Sequence, residues 1–483
     1  MWISSFEIAS RRHDARCGTP RRRHARIAVQ VPLPGRRFAQ LPVPDGTGVA
    51  RERRVLTPRV ERLERVECVD RQDTFGDRIP NRVFESGQML RLAPEARHRV
   101  CVPDQDDQLE GLLALWLGRL DPHSFPLKAW RRLLNRTLVT AGARLTEYRD
   151  PAGLVELRRA IADRLGPTRG IKIEPEQVIM VAGCQEGLNL TARLLLREGD
   201  TVAIENPAYQ GAAYLYESYH TRLVPVRVDD CGLSVDDLPK EGAALLYITP
   251  SHQYPMGYTL TLERRLRLLD WAWRTGTYVV EDDYDSDFRY RDSPVAALMG
   301  LDSHDCVIYI GTFSKSLGPG LRLGYLVVPR HLAGPARAVK TLLDNGRPWL
   351  EQAVLSSFIA TGGYTNHLRR IRQSYAERRE HLMECLRRHF GETKVSGAEC
   401  GMHIAWHLPQ DLPRAPVLQT MAAERDVGIY TLRSGAVCDF GGCAYSERTI
   451  LLGFSSLNER QIRRGVEGIA AAVDASHCCG GNV

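Results

Sequence analysis

The sequence predicts an α/β fold: a large domain with a mostly parallel sheet, and a smaller α+β domain at the carboxyl-terminal end. Three observations predict it. Short β-branched and aromatic runs recur from about residue 108 to residue 475. Amphipathic segments of helical period lie between several of them, which is the pattern of βαβ units. Nearly every run ends in a polar, glycine- or proline-rich turn, and α/β folds bind ligands beyond the carboxyl ends of their strands.

The first 107 residues do not share this texture. Proline and glycine interrupt them (PLPGRR, LPVPDGTG), and helical spacing is confined to Leu56, Val60, Leu63 and Val66. Residues 1–100 hold 21 arginines, no lysine and 12 acidic residues, so they carry +9 of a formal net charge of +7 and leave the rest at −2. An arginine-rich segment neutralises phosphates, which makes DNA a partner only through residues 1–107. The plainer reading is a basic extension from an arginine-favouring composition, since the whole chain has only six lysines.

The longest apolar run, Gly111 to Gly118 (GLLALWLG), is far short of the roughly 20 residues a membrane helix needs. The opening MWISSFEIAS has neither a basic nor an apolar signal region. Twelve scattered cysteines without a CxxC pair, and no His/Cys spacing of the zinc type, point to free thiols in a reducing cytoplasm and to no metal.

An arm spans 108–147. A helix over 154–165 places Leu154, Leu157, Ile161 and Leu165 on one face behind Asp150–Pro151. The predicted strands are 178–182, 202–204, 245–248, 278–280, 306–310 and 323–328, with a further helix from Glu263 to Trp273. The large domain is expected over 148–330, a hinge helix over 331–350, the small domain over 351–475 and a tail over 476–483.

The strand ends carry the chemistry. Strand 178–182 leads through Gly183, Cys184 and Gln185 into a helix, whose free N–H groups and positive dipole end can cradle a phosphate. Strand 202–204 leads to an aromatic ring at Tyr209. Strand 245–248 opens into Thr249-Pro250-Ser251-His252-Gln253-Tyr254-Pro255-Met256-Gly257, polar enough for the lip of a site. Strand 278–280 ends in Glu281-Asp282-Asp283-Tyr284-Asp285; a solvated acidic turn or a metal site is the alternative, but no histidine joins the run at ligand spacing. Strand 306–310 leads through Thr312 and Ser314 to Lys315, with Arg322 seven positions on. A phosphate cradle, a stacking ring, a carboxylate for a pyridinium nitrogen and a Schiff-base lysine are what pyridoxal 5′-phosphate needs.

The phrases YRDPAGLVELRRAIA (148–162), ENPAYQG (205–211), TPSHQYPMG (249–257), EDDYDSDFRY (281–290) and GTFSKSLGPGLRLGYLVVP (311–329) stand in order within residues 108–470. In them the chain resembles fold-type-I, class I/II aminotransferases that depend on pyridoxal phosphate. More narrowly, it resembles the aminotransferase-like domain of MocR/GabR-type bacterial regulators. The resemblance implies that Lys315 is the Schiff-base lysine and proton shuttle, that Asp282 pairs with the pyridinium nitrogen and that Tyr284 bonds the phenolic oxygen. It further implies that Tyr209 stacks on the ring. Backbone groups of Cys184 and Gln185, with Thr312, Ser314 and Arg322, would hold the phosphate. Tyr148 matches a tyrosine that reaches the phosphate of the neighbouring subunit, which implies a homodimer with shared sites.

The chain departs from that pattern in three places. Tyr254-Pro255-Met256-Gly257 stands where aminotransferases have NPTG, so the usual asparagine is absent and Gln253 is the expected substitute. Arg448 and Arg433 are the candidates for the substrate carboxylate, in a carboxyl-terminal phrase where a leucine occupies the strictest match. The winged helix-turn-helix that opens MocR-type regulators has no legible counterpart before residue 100. The expected function is amino-group transfer between an amino acid and a 2-oxo acid through Lys315. The alternative is a MocR/GabR-type transcriptional regulator that uses the same site as a ligand sensor.

Overall fold

The computed structural model describes residues 112–290, 295–441 and 445–479. The expectations for residues 1–107, and the last residues of the tail, lie outside them.

The eight-stranded sheet runs in the order Val178–Val181, Gly324–Val327, Val307–Thr312, Tyr278–Asp283, Leu245–Ile248, Thr201–Asn206, Arg222–Asp229, Gly232–Leu233. Its interior strands are parallel, while Gly324–Val327 runs antiparallel to both neighbours. Val178–Val181 and Leu245–Ile248 are buried on both faces: every residue of each is in the core, as strands covered by helices require. The carboxyl ends Val181, Asn206, Ile248, Asp283 and Thr312 therefore share one edge, where the chemical residues were expected.

The helix Val155–Arg169 buries Leu157, Ile161 and Leu165, the stripe read from the sequence. It runs on through Pro167 and stops at Gly170, whose φ of +75° closes the last turn. Its first turn is anchored by Arg158, which donates to Asp150 at 2.9 Å and to the Gly153 and Pro175 carbonyls. The second predicted helix spans Leu262–Thr275, and Thr261 caps it by accepting from the Arg264 N–H. Within the segment expected to form a hinge helix, Ala333–Asp344 is helical and Asn345, at φ +55°, ends it before Trp349–Ala360 begins.

A second, antiparallel sheet has the order Lys394–Ser396, His403–His407, Thr449–Gly453, Tyr430–Thr431. The long helices Gly363–Phe390 and Glu459–Cys479 pack with it, through residues such as Leu382, Leu386, Trp406, Ile450, Ile462 and Val466. Residues 113–118 join the two regions. Leu113–Ala114 pairs with Val427–Gly428, Gly453 donates to the Leu115 carbonyl at 2.9 Å, and Gly118 ends beside Lys315. No helix among the described residues is long and apolar enough to cross a membrane.

Candidate active site

The strand ends open on a cavity of about 310 Å³ lined by Cys184, Gln185, Tyr209, Asp282, Tyr284, Thr312, Ser314, Lys315 and Arg322. Nine residues singled out from the sequence thus meet in one place, from four separate strand ends. A larger surface hollow, about 450 Å³ beside Arg149, Arg158 and Trp349, holds none of them.

Each side chain is positioned by its strand. Asp282 is the fifth residue of its strand and is buried among neighbours that hold one of its oxygens. Oδ2 accepts from the Tyr247 hydroxyl and the Cys184 thiol, both at 2.8 Å. Oδ1 is buried without a hydrogen-bond partner among the described residues. Burial drives the carboxyl pKa up to about 6, against the two donors that stabilise its charge. A buried acceptor left open in this way costs stability unless a donor fills the cavity beside it.

Lys315 follows the strand Val307–Thr312 and donates to the Gly118 carbonyl at 3.0 Å. Burial lowers the pKa of its ammonium, opposed by the negative charges of Asp285 and Asp282. Gly118 is bound to be small: at φ +66°, a Cβ there would stand 2.8 Å from the lysine nitrogen.

The anion cradle is built on the helix Cys184–Leu195. Its N-cap, Gly183, has φ +120° and faces the Arg322 guanidinium, 3.4 Å from where a Cβ would stand. Glu186, in the first turn, accepts from the Ala182 N–H at 2.7 Å and pairs with buried Lys340. Ser314 donates its N–H to Thr312 Oγ1 at 3.0 Å, which orders that turn. Amide groups at a helix start, two hydroxyls and a guanidinium form an anion site of phosphate type.

Tyr209 stands edge-on to Tyr254 at 5.8 Å, and Tyr254 stands edge-on to Tyr284 at the same distance. The Tyr254 hydroxyl donates to the Gly435 carbonyl at 2.6 Å, and Val437–Cys438 pairs with Ala208–Tyr209. The segment 435–438 thereby fixes the ring of Tyr209 at the wall.

Four expected residues lie elsewhere. Gln253 is buried but turned from the cavity: its amide donates to the Pro207 and Tyr254 carbonyls and accepts from the Met256 N–H. Tyr254 lines the wall instead, at the position of the missing asparagine, and Gln253 is not among the lining residues. Arg448 spends its guanidinium on the Leu412 and Pro409 carbonyls. Arg433 pairs with Glu447 and is 64% exposed. Neither arginine lines the cavity, so the expected substrate-carboxylate role has no support in this geometry; Arg322 is the only arginine there among the described residues. Tyr148 is 92% exposed and outside its own chain's cavity.

Tyr247, Trp116, Gly118, Thr249, Asp285, Met402 and His403 line the cavity without having been assigned a role from sequence. Tyr247 sits inside an apolar strand run, and 116–118 read only as apolar chain; neither carries a local signal. The fold also gathers His252, Asp285 and His403, with ligand-type atoms within 4.8 Å of one another, a grouping that spacing along the chain did not suggest.

These residues fit pyridoxal phosphate: an open buried acceptor at Asp282, a buried amine at Lys315, an anion cradle and an aromatic wall surround one cavity. Comparison with known proteins agrees. A family model for aminotransferase class I and II matches residues 115–467. The chain is 34% identical over 360 residues to the HTH-type transcriptional regulator YhdI of Bacillus subtilis, covering 74% of each chain. It is 34% identical over 394 residues to the probable rhizopine catabolism regulatory protein MocR of Rhizobium meliloti, covering 80% of this chain and 76% of that one. Aromatic-amino-acid aminotransferase 1 of Thermococcus litoralis is 27% identical, over 75% of this chain and 88% of its own. Among solved structures, the α-aminoadipate aminotransferase LysN of Thermus thermophilus, complexed with N-(5′-phosphopyridoxyl)-L-leucine, superposes with a TM-score of 0.68 at 27% identity. It covers 77% of this chain and 94% of that one.

Proposed function

As a member of the aminotransferase class I and II family, the chain has pyridoxal phosphate as its cofactor, and we propose that it transfers an amino group between an amino acid and a 2-oxo acid. The observation that carries this reading is the pairing, in one buried cavity, of the Lys315 amine with the open Oδ1 of Asp282.

Bound there, the cofactor supplies an electron sink for the pair released when an amino acid loses its Cα proton. Asp282 Oδ1 is placed to hold the ring nitrogen protonated. Tyr209 would wall one side of the ring, Tyr284 would bond the phenolic oxygen, and the start of helix Cys184–Leu195 would hold the phosphate with Thr312, Ser314 and Arg322. Lys315 would be the covalent anchor and then the base: burial lowers the pKa of its ammonium, which favours the neutral amine that takes the Cα proton. Tyr148, exposed on its own subunit, is assigned to the phosphate of a partner's site in a homodimer. The large domain 148–330 would carry the cofactor and 351–475 would close on it across 331–350.

The test is release of 2-oxo acid from a panel of amino acids by the cofactor-loaded protein. Lys315→Ala is expected to lower the rate of that half-reaction by roughly 10²–10⁴-fold, the usual contribution of a positioned base. Equal rates in the two proteins would refute the assignment.

A second reading has one observation in its favour. The two regulators are 34% identical to the chain, against 27% for the aminotransferase. On this reading the same cavity senses an amino compound, and DNA contact falls to the arginine-rich residues 1–107. Amino acids would then change the bound cofactor's absorbance without oxo-acid release, and the protein would retain DNA in a salt-sensitive way.

A further inference from the structure

Beneath Tyr284 lies a buried His252–Asp285 pair to which the reading above gives no work. His252 Nδ1 stands 2.8 Å from Asp285 Oδ2 and 3.0 Å from the Tyr284 oxygen. One ring nitrogen cannot both donate to the carboxylate and accept from the phenol. The carboxylate oxygen is the acceptor in that pair, so Nδ1 carries the hydrogen.

The far side of the ring agrees. Nε2 is buried with no hydrogen-bond partner among the described residues. It is packed against backbone: a Cβ on Gly257 or Gly397 would stand 3.0 Å from Nε2, and one on Gly401 would stand 2.2 Å from Cε1. Nε2 thus faces those glycines, and no polar group among the described residues stands there to receive a hydrogen from it. A bare lone pair is tolerated against those glycines more cheaply than an unpaired N–H.

We infer that His252, oriented by Asp285, is a positioning residue that keeps the Tyr284 hydroxyl hydrogen turned into the cavity. The phenol cannot donate to Nδ1; the one Nδ1–H is shared between Asp285 Oδ2 and the phenol oxygen, whose own hydrogen is left for an acceptor in the cavity that Tyr284 lines. A donor that is itself receiving a hydrogen bond is strengthened. The inference rests on the proposed cofactor reading, in which that acceptor is the phenolic oxygen. Five other polar groups face the trio: Asp282 on the same strand, Tyr254 from the 249–257 turn, Lys315, Cys400 from the connection before His403–His407, and His403 from the small sheet.

A hydrogen bond from Tyr284 favours the deprotonated form of the bound chromophore, so weakening it raises the pH midpoint of its visible absorbance. The test is that titration on the cofactor-loaded protein. His252→Phe keeps the ring's bulk and loses Nδ1–H; it is expected to raise the midpoint by about one pH unit. His252→Asn leaves a void against Gly257 and Gly397 but places an amide N–H near the lost one; it is expected to stay within about 0.3 unit of wild type. In a Tyr284→Phe background, His252→Phe should add no further shift.

If His252 only fills space, Asn will shift the midpoint at least as far as Phe, and that result overturns the inference. A His252→Phe shift that persists without the Tyr284 hydroxyl overturns it too. Absence of any visible chromophore in the wild type would overturn the cofactor reading, and this assignment with it. Should the Phe variant fail to fold, ¹⁵N shifts of histidine-labelled wild-type protein, with His252→Asn to assign the resonance, must show His252 protonated at Nδ1 and not at Nε2. The reverse tautomer overturns the inference.

Discussion

At the scale of single residues, the burial of Asp282 gives the chain a pH-dependent stability. Burial raises Asp282 to a pKa of about 6 from 3.8 and Glu205 to about 7 from 4.5. Both carboxyls therefore hold protons in the folded chain that the unfolded chain releases. Their contribution to stability is full below about pH 4 and is lost as pH rises through 6 and 7. Asp282→Asn removes one of the two. Without cofactor, the variant is expected to exceed wild type by about 1–3 kcal/mol at pH 8 and to match it near pH 4, while holding the cofactor more weakly. Thermal unfolding of both cofactor-free proteins across this range decides it; parallel curves would show that Asp282 is not the strained group. Asp282 was legible in the sequence because acidic residues cluster at a strand end. Tyr247 was not: in LLYI it reads as one more core residue, and only the neighbouring strand reveals that its hydroxyl meets Asp282 at 2.8 Å.

At the scale of elements, strands were legible where both faces are buried and hidden where they are not. Leu245–Ile248 matched its apolar run to the residue. Arg222–Asp229 was missed because Pro225 and alternating charges disguise a half-exposed strand near the sheet edge. Tyr278–Asp283 and Val307–Thr312 run further than their apolar cores, since the ladder continues through the functional residues themselves. Turns carried the site's logic, and Gly183 is the sharpest case. Its φ of +120° lies outside the range L side chains readily adopt, although a Cβ would only touch Arg322 at van der Waals distance. Gly183→Ala is expected to cost about 1–3 kcal/mol. It should also weaken competition by inorganic phosphate for the cofactor site about tenfold, because the strained backbone at the helix start must shift. Calorimetry with and without phosphate separates the two effects; lost stability with unchanged phosphate affinity would take Gly183 out of the cradle.

At the scale of the whole molecule, Tyr148 poses a question that one chain cannot answer. It is 92% exposed and absent from its own cavity, although the phrase it opens, YRDPAG, was among the plainest in the sequence. Local pattern names such a residue but cannot say which copy of the chain it serves, because that depends on assembly symmetry. The proposed homodimer makes a sharp prediction through complementation. Lys315→Ala lacks the amine at every site, and Tyr148→Phe lacks the reaching hydroxyl at every site. If Tyr148 serves the partner, a mixed dimer contains one site with Lys315 from one subunit and Tyr148 from the other, and one site that lacks both. Statistical mixing then restores about a quarter of all sites to wild-type cofactor retention and amino-acid response. If Tyr148 acts within its own subunit, every site in the mixture lacks one group or the other, and nothing is restored. Co-expression of the two variants under separate tags, with the doubly tagged species assayed, therefore tests homodimer and shared site together; zero recovery in a purified mixed dimer would return Tyr148 to the surface.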